Sequence, residues 1–185
     1  MRYQKTHKDD TRRRVLEVAS RNFRQNGLVG TGVATIMADA GLTNGAFFTH
    51  FRSKEALIEE VFESASDIGY QGLVEAGTAG GIEAIVRRYM RPEHRDHPER
   101  GCPAAALGPE VARHSPATRA AFTRKFQRMV DLINSHLPSP NESRAQAIFG
   151  TLIGAMQLAR SVSDPALSDQ LLNSGIEAGI VLARA

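Results

Sequence analysis

Between Thr31 and Lys54 the chain reads T-G-V-A-T-I-M-A-D-A-G-L-T-N-G-A-F-F-T-H-F-R-S-K, and this stretch restricts the fold more than any other. Ile36, Met37 and Ala40 recur at one-face spacing, which predicts a short helix over Val33–Ala40. Gly41 stops it, because glycine takes a left-handed cap without steric cost. Leu42 follows as a buried plug. Thr43 can cap a second helix, expected from Thr43 to His50, by accepting an orphan backbone N–H. Two helices joined by so short a glycine-containing turn form a helix-turn-helix.

In a helix-turn-helix the second helix enters the major groove of DNA. Close approach needs short side chains, with donors and acceptors at the leading end. Thr43, Asn44, Gly45 and Ala46 meet that demand. Asn44 suits an adenine edge, and the methyl of Thr43 or Thr49 suits a thymine. Gly45 costs about 1 kcal/mol relative to alanine inside a helix, so close backbone approach to a duplex gives it a reason to be there.

The charge distribution is asymmetric in the same sense. Residues 1–54 hold ten Lys/Arg against four Asp/Glu, a balance of +6, while residues 55–185 hold thirteen against sixteen, a balance of −3. A basic front end on a slightly acidic body fits either a polyanion partner at one end or a solvated charged face.

The remainder reads as helix after helix. Residues 1–8 are expected to be a mobile basic arm. Asp9, Asp10 and Thr11 open a first helix whose stripe is Val15, Leu16, Ala19 and Phe23, ended by Gly27 and bracing Ile36 and Phe47. Ser53 caps a helix expected to run to about Val74, and the G-T-A-G-G run at 77–81 breaks the next stretch. Ile82, Ile85, Val86 and Tyr89 follow, and then Glu93–Gly101 reads as a charged loop. Helices are expected from Cys102 or Pro103 to about Arg113, from Ser115-Pro116 to Leu137, from Glu142 to about Val162 after an Asn141 cap, and from Asp164-Pro165 onward. No strand pattern competes. The expectation is an all-α chain of about nine helices. The division falls near residue 51: residues 1–51 form a three-helix head, and residues 52–185 a helical body.

Other chemistry is thinly represented. The sequence holds no Gly-rich phosphate loop, G-x-S-x-G or H-E-x-x-H motif, so no enzyme is expected and no catalytic residue is assigned. Cys102 is the single cysteine, which rules out an intramolecular disulfide. It reads either as a small packing residue, the favoured sense, or as a redox-sensitive thiol at a helix start. His94-x-x-His97, with Cys102 and His114, matches no zinc spacing, and neither metal nor cofactor is expected. No apolar run approaches the roughly 20 residues that span a bilayer, and no signal core opens the chain, so a soluble cytoplasmic protein is expected.

Leu16, Ala19, Phe23, Gly27, Thr31, Ile36, Ala40, Gly41, Leu42, Thr43, Gly45, Phe48, His50 and Phe51, closed by S-K-E-A-L at 53–57, together resemble the TetR family of transcriptional regulators. The likeness covers about the first third of the chain. Beyond it, G-C-P-A-A-A-L-G-P-E-V-A at Gly101–Ala112 resembles a subgroup of these regulators. The resemblance implies an N-terminal helix-turn-helix domain and a C-terminal ligand-binding and dimerisation domain. It implies a DNA-facing set of Thr31, Thr43, Asn44, Gly45, Phe48, Thr49, His50 and Lys54, in which Thr31, His50 and Lys54 meet phosphates with the arginines at 12–14 nearby. It implies a homodimer through the last two helices, where Gly150-x-x-x-Gly154 would let helices approach or would fit a contact within one chain. A pocket is expected from Tyr89, Phe122, Phe126, Met129, Phe149, Ile153, Met156 and Gln157. The function implied is repression of a palindromic operator, released by a small apolar effector. Two departures stand out: Phe48 replaces the family's usual Tyr and cannot donate to a phosphate, and Gly32 replaces Thr or Ser. They keep open an alternative, a helical protein-interaction module with a degenerate helix-turn-helix.

Overall fold

A computed structural model describes residues 2–64 and 68–185, and among these residues there are helices and no strands. The α-helices are α1 (Arg2–Asn26), α2 (Val33–Asp39), α3 (Lys54–Glu63), α4 (Ile68–Tyr89), α5 (Pro92–Asp96), α6 (Pro103–Val111), α7 (Pro116–Ser135), α8 (Glu142–Ser161) and α9 (Pro165–Arg184). Two 3-10 helices, Asn44–Thr49 and Pro98–Arg100, complete the described set. The chain forms two compact units. One is Met1–Ser66 with Leu107–Thr123, and the other is Asp67–Ala106 with Arg124–Ala185. Helices α6 and α7 contribute residues to both.

In the first unit α1 buries Val15, Val18, Ala19 and Phe23. Ile36 and Met37 of α2, Phe47, Phe51, and Leu57, Ile58, Val61 and Phe62 of α3 complete the core. Helix α2 ends in a Schellman motif: Leu42 N–H donates to Met37 O at 2.9 Å and Gly41 N–H to Ala38 O at 2.9 Å, with Gly41 at φ +69°. Leu42 is half-buried rather than a fully buried plug. Ser53 caps α3 as expected, its hydroxyl accepting from Ala56 N–H at 3.1 Å. Phe62 meets Phe122 edge-on at 5.6 Å, which joins α3 to the start of α7 within this unit.

Three expectations change here. Helix α1 begins at Arg2, so the basic arm is helical; Arg, Gln and Lys are good helix formers and no Gly or Pro interrupts them. Helix α3 stops at Glu63, because Ser64 is extended (φ −61°, ψ 134°), so no continuous helix reaches Val74. Residues 65–67, part of that expected helix, lie outside the described residues. Glu93–Gly101 holds α5 and a 3-10 turn rather than a plain loop, each opened by a proline whose fixed φ suits a first turn.

In the second unit α4 is sharply bent at Gly80 (φ −149°, ψ 19°) and Gly81 (φ 65°, ψ −156°). Gly81 occupies a backbone region open essentially to glycine alone. Along a straight helix, sixteen residues would separate Gly72 from Arg88 by about 24 Å. Here a Cβ on Gly72 would lie 2.9 Å from the Arg88 guanidinium, so the two arms of α4 fold back on one another. Helix α9 packs on α8 and α4. Gly175 and Gly179 make that approach possible: a Cβ would come within 2.6 Å of Met90 at the first and 3.1 Å of Val86 at the second. Asn141 and Asp164 cap α8 and α9 through side-chain acceptors, as the sequence suggests.

Candidate nucleic-acid interface and effector cavity

The helix-turn-helix is built on Phe47, which is buried, stacks on Phe51 at 5.6 Å and anchors the segment after α2. That segment is a 3-10 helix of six residues, Asn44–Thr49, rather than an α-helix over Thr43–His50. Gly45 removes helical stiffness at its second position, and Thr43, though placed at the N-cap, makes no side-chain cap bond. Thr43, Asn44, Gly45, Phe48 and Thr49 are all exposed. Phe48 meets the Phe47 ring edge-on at 5.2 Å yet keeps 76% of its surface open, and Val29 is 81% exposed, an unusual exposure for large apolar side chains.

The expected phosphate contacts divide. Thr31 is buried, and its hydroxyl faces Gly27 O at 2.7 Å and Asn22 O at 3.2 Å, so it braces the turn after α1 instead of offering a free donor. A hydroxyl has one hydrogen, and here the fold uses it. Lys54 donates to Val29 O at 3.4 Å from the first turn of α3. His50 is half-buried, with Nδ1 buried and unpartnered among the described residues. Burial, followed by the positive charges of Lys8 and Arg12, lowers its pKa. Arg12 is held by Glu60 and lies over the Phe51 ring at 4.7 Å, and Arg13 pairs with Asp10 at 2.6 Å, whereas Arg14 is exposed.

Two carboxylates missed in the sequence hold this unit together. Glu110 accepts from Leu28 N–H at 2.9 Å and Val29 N–H at 3.1 Å, fixing the turn beside Thr31. Glu55 accepts from Thr118 Oγ1 at 2.7 Å and Ser115 N–H at 3.1 Å, with His114 Nδ1 at 2.8 Å. Partial burial disfavours its charge, but the bonds from Thr118, His114 and Ser115 outweigh that and hold the carboxyl at about 2. Neither residue lies in a periodic pattern, so only the fold reveals these roles.

The second unit encloses a cavity of about 390 Å³. Tyr70, Leu73, Tyr89, Pro103 and Met129 give it an apolar body, and Arg88, Arg91 and Arg100 add cationic groups. Of the expected pocket residues, Tyr89 and Met129 line it. The other six do not. Phe122 packs on Phe62 in the first unit, Phe126 meets Phe149 at 5.2 Å, Phe149 and Met156 are core, Ile153 is outside the wall, and Gln157 donates to Ala105 O at 3.2 Å. Of these six, Phe149 and Met156 are packed solid, whereas Phe122, Phe126, Ile153 and Gln157 are half-buried.

His94 and Cys102 also line the cavity, and the geometry gives His94 a structural role. Its Nδ1 meets Tyr89 O at 2.7 Å and its Nε2 accepts from Cys102 N–H at 2.9 Å. Burial, against the pull of the Tyr89 carbonyl, brings its pKa to about 4, so the ring is neutral and both nitrogens are engaged. Arg160 donates to His94 O at 2.5 Å and Arg95 O at 3.1 Å behind it. Among the described residues no three His, Cys, Asp or Glu side chains are placed to hold a metal ion.

Gly150 and Gly154 of α8 face open space: a Cβ on either would meet nothing of this chain within 4 Å. They do not serve a contact within the chain, unlike Gly175 and Gly179. Leu158 (56%) and Val181 (66%) are exposed on the same pair of helices.

Comparison with known proteins agrees with this geometry. Residues 15–61 match the family described as bacterial regulatory proteins, tetR family. The HTH-type transcriptional regulator AcrR of Shigella flexneri is 41% identical over 66 residues, 35% of this chain and 31% of that protein. The likeness therefore spans under a third of AcrR's length. LmrA of Bacillus subtilis, also an HTH-type transcriptional regulator, is 27% identical over 155 residues, 80% of this chain and 82% of that one. The crystal structure of reduced Escherichia coli NemR shares the fold at a TM-score of 0.74 and 21% identity, covering 92% of this chain and 95% of that chain. From Val15 to Val61 the helix-turn-helix segment thus carries the pattern of the tetR family of bacterial regulatory proteins, on a helical fold shared with NemR.

Proposed function

We propose that the protein is a ligand-responsive transcriptional repressor that binds a palindromic operator as a homodimer and releases it when a small-molecule effector binds. Residues 1–51, with Lys54 at the start of α3, read DNA, and the second compact unit, Asp67–Ala106 with Arg124–Ala185, binds the effector and dimerises. One observation carries the reading. A surface of short side chains, Thr43, Asn44, Gly45 and Thr49, is displayed on a turn locked by buried Phe47 and a Schellman-capped α2. Thr43, Asn44, Gly45 and Thr49 face base edges, and Lys54 and His50 face phosphates, which set register rather than sequence. The positive charges of Lys8 and Arg12 around His50 favour an anion there.

Dimerisation is supported by the open glycines of α8 and by exposed Leu158 and Val181, because a single short reading element covers few base pairs and pseudo-palindromic sites are read by dimers. Repression is supported by a relative: the E. coli protein NemR is named a transcriptional repressor and is 25% identical over 147 residues. No helix among the described residues is long and apolar enough to cross a membrane, in keeping with action on DNA in the cytoplasm.

The test is fluorescence anisotropy with DNA from upstream of the protein's own gene against a scrambled duplex. Specific binding that falls steeply as salt rises is expected. Absence of any specific duplex in a genome-wide binding selection would sink the reading and leave a protein-interaction module.

A further inference from the structure

The cavity of the second unit has a mouth and a floor of different chemistry. Its floor is buried: Leu73, Tyr89 and Met129 are at most 6% exposed. Tyr89 lines that floor, and its hydroxyl is buried with no hydrogen-bond partner among the described residues except the neighbouring Cys102 thiol, a weak one. Its mouth is cationic. Arg88 is exposed and has no acidic partner among the described residues, and Arg91 faces only Glu93, at 4.0 Å, the limit of an ion pair. Arg100 also lines the cavity, with 80% of its side chain exposed and Glu99 paired to it at 3.5 Å. Glu93 is the one carboxylate in the lining, against three guanidinium groups.

A purely apolar guest would give no partner to the Tyr89 hydroxyl or to the Arg88 guanidinium, forgoing the polar contacts that the lining offers. A small hydrophilic anion would leave the apolar body unfilled. The volume lies within the roughly 300–1,000 Å³ typical of small-molecule sites. We propose that this cavity binds an amphipathic organic anion, with its acid group at Arg88 and Arg91 and a hydrogen-bonding group at the far end on the Tyr89 hydroxyl. The inference deepens the ligand-responsive reading and rests on it for its biological meaning. It replaces the purely apolar effector suggested by the sequence with a charged, two-ended one.

Three probes of nearly equal size test it by calorimetric titration of the full chain: 2-naphthoate, the neutral ketone 2-acetylnaphthalene, and 6-hydroxy-2-naphthoate. The naphthoate is expected to bind at one site per chain, about tenfold more tightly than the ketone. Arg88→Gln with Arg91→Gln should abolish that ratio, and as these side chains are solvent-facing the variant should keep the wild-type melt. The distal hydroxyl should add about fivefold in the wild type and nothing in Tyr89→Phe. Equal affinity for ketone and acid, an unchanged ratio in the double arginine variant, or no saturable naphthoate binding at millimolar concentration would overturn the proposal. Anisotropy of the operator complex separates the two readings. Naphthoate that binds with the expected arginine dependence but leaves DNA bound supports the anion site and refutes ligand-controlled release. Release by the neutral ketone alone supports control and refutes the anion.

Discussion

Glu55 offers the most direct test of how the helix-turn-helix unit is held. Its carboxylate collects Thr118 Oγ1, Ser115 N–H and His114 Nδ1, tying the first turn of α3 to the turn between α6 and α7. Its pKa of about 2, against an ordinary 4.5, means the folded protein favours the charged form. Taken at face value the difference is worth ~3.4 kcal/mol, at ~1.36 kcal/mol per unit. The side chain is 40% exposed, however, and solvent screening reduces this to about 1–2 kcal/mol. A depressed carboxyl pKa stabilises above the unfolded value, and the contribution is lost as pH falls toward the folded one. Glu55→Gln keeps the shape and one acceptor oxygen but loses the charge. At about pH 6 the variant should melt roughly 2–8 °C below the wild type, at about 2–4 °C per kcal/mol for a chain of this size. As pH drops through about 4 toward 2, the gap should close, because the wild type protonates too. Calorimetric or circular-dichroism melts across that range measure it. A variant as stable as the wild type at pH 6, or a gap that persists at low pH, would refute the assignment.

Other substitutions read out single elements. Phe23→Ala removes a fully buried ring from α1 and should cost about 3–5 kcal/mol, seen as a shifted denaturant midpoint. Gly41→Ala meets no atom within 4 Å but forces a side chain to φ +69°, so a loss of about 1–2 kcal/mol from backbone strain alone is expected in the same measurement. On operator DNA, Asn44→Ala should cost about 1–3 kcal/mol and relax preference at one base pair per half-site. Lys54→Ala should weaken all sequences alike and lower the salt slope by about 1; indistinguishable behaviour of the two across operator variants would show their roles to be misassigned.

Much of the fold was legible because helix ends obey local chemistry. Gly41, Ser53, Asn141 and Asp164 each act where their residue types predict, since capping depends on neighbours within a few positions. The display of Thr43, Asn44, Gly45 and Thr49 was legible for the same reason. What escaped is long-range or aperiodic. The two-glycine break in α4 was visible, but the reversal it produces depends on dihedral angles no spacing encodes. Glu55 and Glu110 sit in motifs that the sequence marks, S-K-E-A-L and G-P-E-V-A, but their partners, Thr118 and Leu28, are too distant in the chain for spacing to reveal. The pocket was sought among apolar stripes, which pack solid at Phe149 and Met156. The cavity of the second unit includes Tyr89 and Met129 together with Arg88, Arg91 and Arg100, which no motif marked out.

The bend in α4 has a mechanical meaning for that cavity. Gly69, Tyr70 and Leu73 line it from one arm and Arg88 and Tyr89 from the other, so opposing walls are parts of a single helix. Their separation is governed by a joint of two residues, Gly80 and Gly81, whose backbone meets little steric resistance to rotation. From that joint the second arm extends about 10 Å to Arg88, so a rotation of about 10° carries its end by nearly 2 Å. The calliper formed by the two arms turns at one point, and any change in its opening must be matched by movement of α9, which Gly179 holds against Val86 of the second arm.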